Sequence, residues 1–282
     1  MIFRTNYHSH NVFCDGRASM ETFVQFAIAK GLKQYGFSSH SPLPFHTSWN
    51  MDLDNLPYYK QEFKRLKNKY LKDIDLKIGL EMDYIPDFFG ATNNNLYQTD
   101  DLDYMIGSVH YLDKLPSGSF FSIDGNFYDF QKGVDLLYDG DIKALTNRFF
   151  GAVRDMIEEG GFNIVGHMDK ISLNGRNYKE FDIQDKQYIQ NISEILQLIK
   201  NKGIILEINT KSFLEKGLTY PDIRFFPLIS ELKIPIVVSS DCHYPDKICD
   251  GFEPVYKILK EAKLNELMEL KGKIWNTAPL PF

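Results

Sequence analysis

Ile236-Val-Val-Ser-Ser-Asp241-Cys-His243 decides the reading of this chain. A short apolar run ends in small polar residues and then in two metal-type ligands at i, i+2. The same construction recurs in Thr5-Asn-Tyr-His8-Ser-His10, Tyr35-Gly-Phe-Ser-Ser-His40, Ile78-Gly-Leu-Glu81-Met-Asp83, Met105-Ile-Gly-Ser-Val-His110, Ile164-Val-Gly-His167-Met-Asp169 and Ile205-Leu-Glu207-Ile-Asn209. The chain has only 7 histidines in 282 residues, and six of them close such runs. Composition does not explain that placement.

Working outward, strands are expected near residues 4–8, 34–38, 76–83, 104–110, 163–167, 204–209 and 235–240. Helix-like segments separate them. Residues 19–30 put Met20, Phe23, Val24, Ala27 and Ile28 on one face, and Ser19 with Thr22 forms a start signal. Further helical spacing runs through 54–72, 142–159, 184–202, 221–232 and 252–270. Strand and helix in alternation mean parallel β/α units, here a single α/β domain over 1–282. Sites in such barrels lie at the carboxyl ends of the strands. The long segments 40–54 and 111–128, rich in Pro, Ser, Gly, Phe and Asp, are expected to cover that rim.

Hydrophobic content of 43% and charged content of 25% are those of an ordinary globular protein. Three cysteines, with no Cys-x-x-Cys pair, argue against a thiolate zinc finger. The net charge of -6 and the lack of a basic stripe argue against a nucleic-acid partner. The Met1–Tyr7 opening is too short and polar for a signal peptide, and no apolar stretch is of membrane-spanning length. A cytoplasmic enzyme without a membrane partner is expected.

Alternate side chains of a strand share a face. His8 and His10 therefore project together, as do Glu81 and Asp83, His167 and Asp169, Glu207 and Asn209, and Asp241 and His243. Cys14 and Cys242 are expected to point away. One histidine after one strand is more often a hydrogen-bonded core residue than a ligand. Many at equivalent strand ends need a shared compensation for burial, and a metal cluster supplies it. Mixed imidazole and carboxylate ligands suit Zn, Fe or Mn better than Mg or Ca.

The order His-x-His, Asp-Gly, Ser-x-His, Gly-x-Glu, Ser-Val-His, Gly-His and Ser-Asp-x-His resembles the polymerase and histidinol phosphatase (PHP) family across essentially the whole chain. The segments His40-Ser-Pro-Leu-Pro44, Gly79-Leu-Glu-Met-Asp-Tyr-Ile85, Ser108-Val-His-Tyr-Leu112 with a later Ile123-Asp124, and Glu207-Ile-Asn-Thr210 resemble its histidinol-phosphatase branch. The resemblance implies a distorted, TIM-like (β/α)7 barrel with three divalent ions. His8, His10, Glu81 and Asp241 would hold the first. Glu81 would bridge to a second on His110 and His167, and Asp15, His40 and His243 would hold the third. It also implies hydrolysis of L-histidinol phosphate, a small phosphorylated metabolite, by a hydroxide formed between the metals. Asp241, His243 or a water would protonate the leaving group. Arg17, Arg176 and Lys170 are candidate phosphate contacts, and Asp124 is a candidate contact for the rest of the substrate. Neither a Cys-x5-Arg loop nor an Asp-x-Asp-x-Thr pattern occurs, so no phosphoenzyme is required. Three alternatives stand beside this one. They are a PHP phosphoesterase for another ester, such as a nucleotide, a sugar phosphate or a nucleic-acid end; an inactive metal-binding scaffold; and an amidohydrolase, whose usual carboxylated lysine is replaced here by Glu81.

Overall fold

A computed structural model of the protein describes residues 4–98 and 100–281, which leaves the first three residues of the Met1–Tyr7 opening outside it. In chain order the strands are β1 (Thr5–Asn6), β2 (Gln34–Phe37), β3 (Asp75–Asp83), β4 (Tyr104–Ser108), β5 (Tyr111–Lys114), β6 (Phe120–Ser122), β7 (Ile164–Val165), β8 (Ile205–Asn209), β9 (Ile236–Ser239), β10 (Glu266–Lys271) and β11 (Ile274–Pro279). The expected seven form one sheet in the order β1-β2-β3-β4-β7-β8-β9, parallel at every pairing. Its two ends meet where Ser9 bridges Cys242 and the His10 amide donates to the Cys242 carbonyl at 2.9 Å. The fold is therefore the distorted seven-stranded barrel that was expected.

The helices are α1 (Met20–Ala29), α2 (Leu56–Lys69), α3 (Phe127–Tyr138), α4 (Ile142–Glu159), α5 (Ser172–Gly175), α6 (Lys186–Lys202), α7 (Phe213–Lys216), α8 (Phe226–Leu232) and α9 (Phe252–Glu261). Helix α1 starts where Ser19 Oγ accepts from the Thr22 amide. Helix α4 buries Leu145, Phe149, Ala152, Val153 and Met156, one stripe at helical spacing. These stripes make an apolar layer outside the sheet. A smaller inner cluster holds Tyr7, Tyr104, Ile106, Ile164, Ile205, Val237 and Leu270. A side chain at Gly79 would meet the Tyr104 ring at 2.7 Å, so that close approach requires glycine.

Two segments depart from expectation. The 111–128 overhang carries the antiparallel pair β5–β6 and runs into α3. The helix expected over 252–270 stops at Glu261. Lys263 is left-handed (φ 64°), and β10 then pairs with β11 around a two-residue turn in which Gly272 has φ 61°. This hairpin closes the amino-terminal mouth of the barrel. Leu270 joins the inner cluster, the Leu270 amide donates to Tyr7 Oη, and its carbonyl accepts from Gln34 Nε2 at 2.8 Å. The Tyr7 and Trp275 rings meet edge to face at 5.1 Å between centroids.

Replacing the fully buried Leu270 with Ala should cost about 2–5 kcal/mol. Urea unfolding measures this, and unchanged stability would mean that the hairpin is no part of the barrel core.

Candidate metal centre

The carboxyl ends of the barrel strands converge on Glu81, whose side chain is 1% exposed. Its Oε1 lies 2.9 Å from His167 Nε2 and 3.5 Å from His110 Nε2, and it accepts from Ser108 Oγ at 2.7 Å. Its Oε2 faces the other way, 3.2 Å from His8 Nε2, 2.9 Å from His40 Nδ1 and 3.6 Å from His10 Nε2. Asp241 Oδ1 reaches His10 Nε2 at 3.1 Å. Asp241 follows the end of β9 with φ 47°, a left-handed conformation that a short polar side chain tolerates. That backbone turn lets both Asp241 and His243 face the cluster while Cys242 stays in the core, as expected.

Asp15 returns to the cluster on a tight loop. The Cys14 and Gly16 amides both donate to the Asn11 carbonyl at 3.0 Å, and a side chain at Gly16 would strike the His10–Asn11 backbone. Asp15 Oδ2 lies 3.2 Å from His243 Nε2, and its Oδ1 is 3.9 Å from both His10 Nδ1 and His40 Nε2. The His10 and His243 rings stack at 4.2 Å. The same turn breaks strand alternation, so Cys14 does not point away. Its Sγ sits 3.6 Å from His10 Nδ1, which corrects the expectation for that residue.

A second row orients the first. His8 Nδ1 donates to Glu207 Oε1 at 2.7 Å, and His110 Nδ1 donates to Asp83 Oδ1 at 2.6 Å. Each bond turns the opposite nitrogen inward, where the neutral ring would offer its lone pair. Asn209 donates to both Glu207 and Asp241. Burial pushes His10, His167 and His243 below the usual imidazole range, with neighbouring cationic groups adding to it. His8 and His110 are also buried, but their carboxylates prevail. Glu207 and Glu81 raise His8, while Glu81 and Asp83 bring His110 up to about 9. Against their own burial, Glu81 and Asp241 are held ionised by the surrounding cationic groups.

His8 Nε2, His10 Nε2, His40 Nδ1, Glu81 Oε2 and Asp15 Oδ1 are buried without a hydrogen-bond partner. Such orphaned atoms are costly unless something else meets their lone pairs. Converging nitrogen and oxygen donors suit first-row divalent cations, so the residues fit a metal cluster. Several three- and four-residue groups have their ligand atoms within 4.8 Å of one another. Among them are His10, Asp15, His40 and His243; His8, His10 and Glu81; and Glu81, His110 and His167.

Two cavities open beside the cluster. One of about 260 Å³ is lined by Asp15, His40, Trp49, His110, Asp124, Lys211, Asp241 and His243. The other, of about 330 Å³, includes Arg17, Asp124, Lys170, Lys211, Tyr244 and Lys247. Lys170 is 1% exposed and lies 3.5 Å from Asp124, 3.8 Å from Asp241 and 5.1 Å above the Tyr220 ring. Asn174 holds the loop bearing Asp124 through the Ile123 and Gly125 carbonyls. Arg176 lines neither cavity; it donates to Asp222 at 2.7 Å. Asp169 does not join His167 either. Strand β7 ends at Val165, and the turn beyond it aims Asp169 at Tyr188 Oη and the Asp222 amide. Burial leaves its carboxyl raised to about 7. Lys211 and Trp49 are among the residues at the mouth that sequence reasoning missed, with Tyr244 and Lys247. Lys211 continues the i, i+2 series of Glu207 and Asn209, a signal that was there to extend. Trp49 stacks on Tyr111 from an irregular loop, where no periodicity points to it.

Comparison with known proteins agrees with this geometry. A histidinol-phosphatase of Lactococcus lactis is 28% identical over 95% of this chain and 95% of its own length. One of Bacillus subtilis is 25% identical over 87% of this chain and 96% of its own. The crystal structure of the Lactococcus lactis histidinol phosphate phosphatase, complexed with zinc, L-histidinol and phosphate, superposes with a TM-score of 0.79 at 25% identity, covering 98% of this chain and all of that one. No helix among the described residues is long and apolar enough to cross a membrane. The PHP domain model matches residues 6–211, which carry most of the converging ligands, and the chain belongs to the PHP domain family.

Proposed function

We propose that the chain is a metal-dependent phosphomonoesterase that hydrolyses L-histidinol phosphate to L-histidinol and phosphate, as one barrel domain over 1–282 acting in the cytoplasm. The observation that carries this reading is the ring of orphaned inward lone pairs around Glu81. The activity named for relatives that match nearly the whole chain supports the substrate. His8, His10, Glu81 and Asp241 would hold one cation, Glu81 with His110 and His167 a second, and Asp15, His40 and His243 a third. Zinc, iron and manganese all fit these donors. Such ions supply positive charge toward the phosphoryl oxygens and acidify water held among them.

The chain's own groups do the rest. Lys170, fixed by two carboxylates and an aromatic face, presents a desolvated ammonium. Arg17 stands at the wall of the same cavity, its amide tied to the His243 carbonyl at 2.8 Å. Both meet the phosphate. Asp124, common to the two cavities, accepts from the ammonium of the substrate. Asp241 and His243 line both cavities, and they or a water beside them would supply the proton for the leaving alkoxide. The partner is a small metabolite, a reading supported by the L-histidinol and phosphate in the Lactococcus lactis structure.

Protein loaded with zinc, manganese or iron should release phosphate from histidinol phosphate, lose that activity after dialysis against a chelator, and regain it when metal is returned. Faster turnover of a nucleotide or sugar phosphate would move the substrate assignment and leave the site intact. Glu81→Ala should lower the bound metal measured by elemental analysis and reduce kcat by about 100-fold or more. Asp83→Ala should weaken metal binding by about 10- to 100-fold, with excess metal restoring most of the rate. Full metal content in the Glu81 variant would sink the ligand assignment.

A further inference from the structure

We propose that Lys211 is the movable cation that grips the phosphate, a proposal that rests on the phosphoesterase reading above. Lys211 lies in the turn two residues beyond β8, where its amide donates to Asn209 Oδ1 at 3.0 Å. Its ammonium lies 3.0 Å from Asp241 Oδ1, the same oxygen that faces His10. It lines both cavities, a position it shares with Asp124, Asp241 and His243.

Lys170 and Lys211 differ in kind. The Lys170 side chain is 1% exposed and fixed between two carboxylates, so its ammonium meets a phosphate only from where it already stands. Lys211 is 34% exposed, and Asp241 is its one carboxylate partner within salt-bridge reach among the described residues. A cation held by Asp241 would draw on the same carboxylate and weaken its hold on Lys211. The flexible four-carbon stem then lets the ammonium swing toward a dianion at the junction of the cavities. A phosphate monoester or free phosphate offers several acceptor oxygens there, and a charge-assisted bond to it replaces the one to Asp241.

The test uses the metal-loaded protein, with inorganic phosphate as probe. Lys211→Met should weaken phosphate binding by about ten- to a hundred-fold, as read by calorimetry. It should raise KM for the ester more than it lowers kcat, with metal content unchanged. Lys211→Arg, which keeps the charge, should restore most of the phosphate affinity. Equal phosphate affinity in the wild type and Lys211→Met would overturn the proposal. Loss of bound metal in Lys211→Met would overturn it too, because the lysine would then be holding Asp241 in place. Phosphate binding does not depend on which ester is the substrate. A wrong substrate would therefore leave this result standing, and a wild type that binds no phosphate would instead reject the phosphoesterase reading.

Discussion

A single carboxylate, Glu81, is buried in the barrel with imidazoles from five histidines within 3.6 Å of its oxygens. An ionised group so far from water is tolerable only if positive charge or donors surround it. That constraint governs the upper half of the molecule. Strands β1, β2, β4 and β7 each end where a histidine reaches Glu81, and the turn after β9 adds Asp241 and His243. Glu207 and Asp83 then fix the outer nitrogens of His8 and His110, so the inner ones have no freedom to turn away.

The lower half answers the opposite demand. Below the ligands the barrel is filled by Tyr7, Tyr104, Ile106, Ile164, Ile205 and Val237, with Leu270 of the terminal hairpin beneath them. Among the described residues, this filling leaves the rim as the open side of the ligand cluster. There the overhanging segments bring Trp49 and Asp124, and the turns after β7 and β8 bring Lys170 and Lys211. The lysines offset carboxylate charge at the edge of the cluster, which sets a dry ligand layer next to a charged mouth.

Much of this was legible in the chain. Apolar runs of a few residues followed by His, Asp or Glu located all seven barrel strands, and helix α4 spans the residues that its periodicity marked. Alternation succeeded wherever a strand persisted, as for Glu81 with Asp83 and Glu207 with Asn209. It failed at two places beyond the end of a strand. After β7 the Lys170 amide bonds back to the His167 carbonyl at 2.9 Å, and this turn delivers Lys170 rather than Asp169 to the site. The loop through Cys14 failed for the same reason. The terminal hairpin was missed because Leu264, Leu267 and Leu270 imitate helical spacing, and only the Lys271-Gly-Lys273 turn betrays it.

The seam between β1 and β9 has a consequence for biogenesis. His8 and His10 lie near the start of the chain, while Asp241 and His243 are more than two hundred residues later, and the Ser9–Cys242 bridge brings them together. On the ribosome, a partly made polypeptide holds the first histidines without the aspartate that completes their set. That set can therefore form only after the segment through Asp241 has been made. Until then the two early imidazoles lack the carboxylate that closes the ring around them.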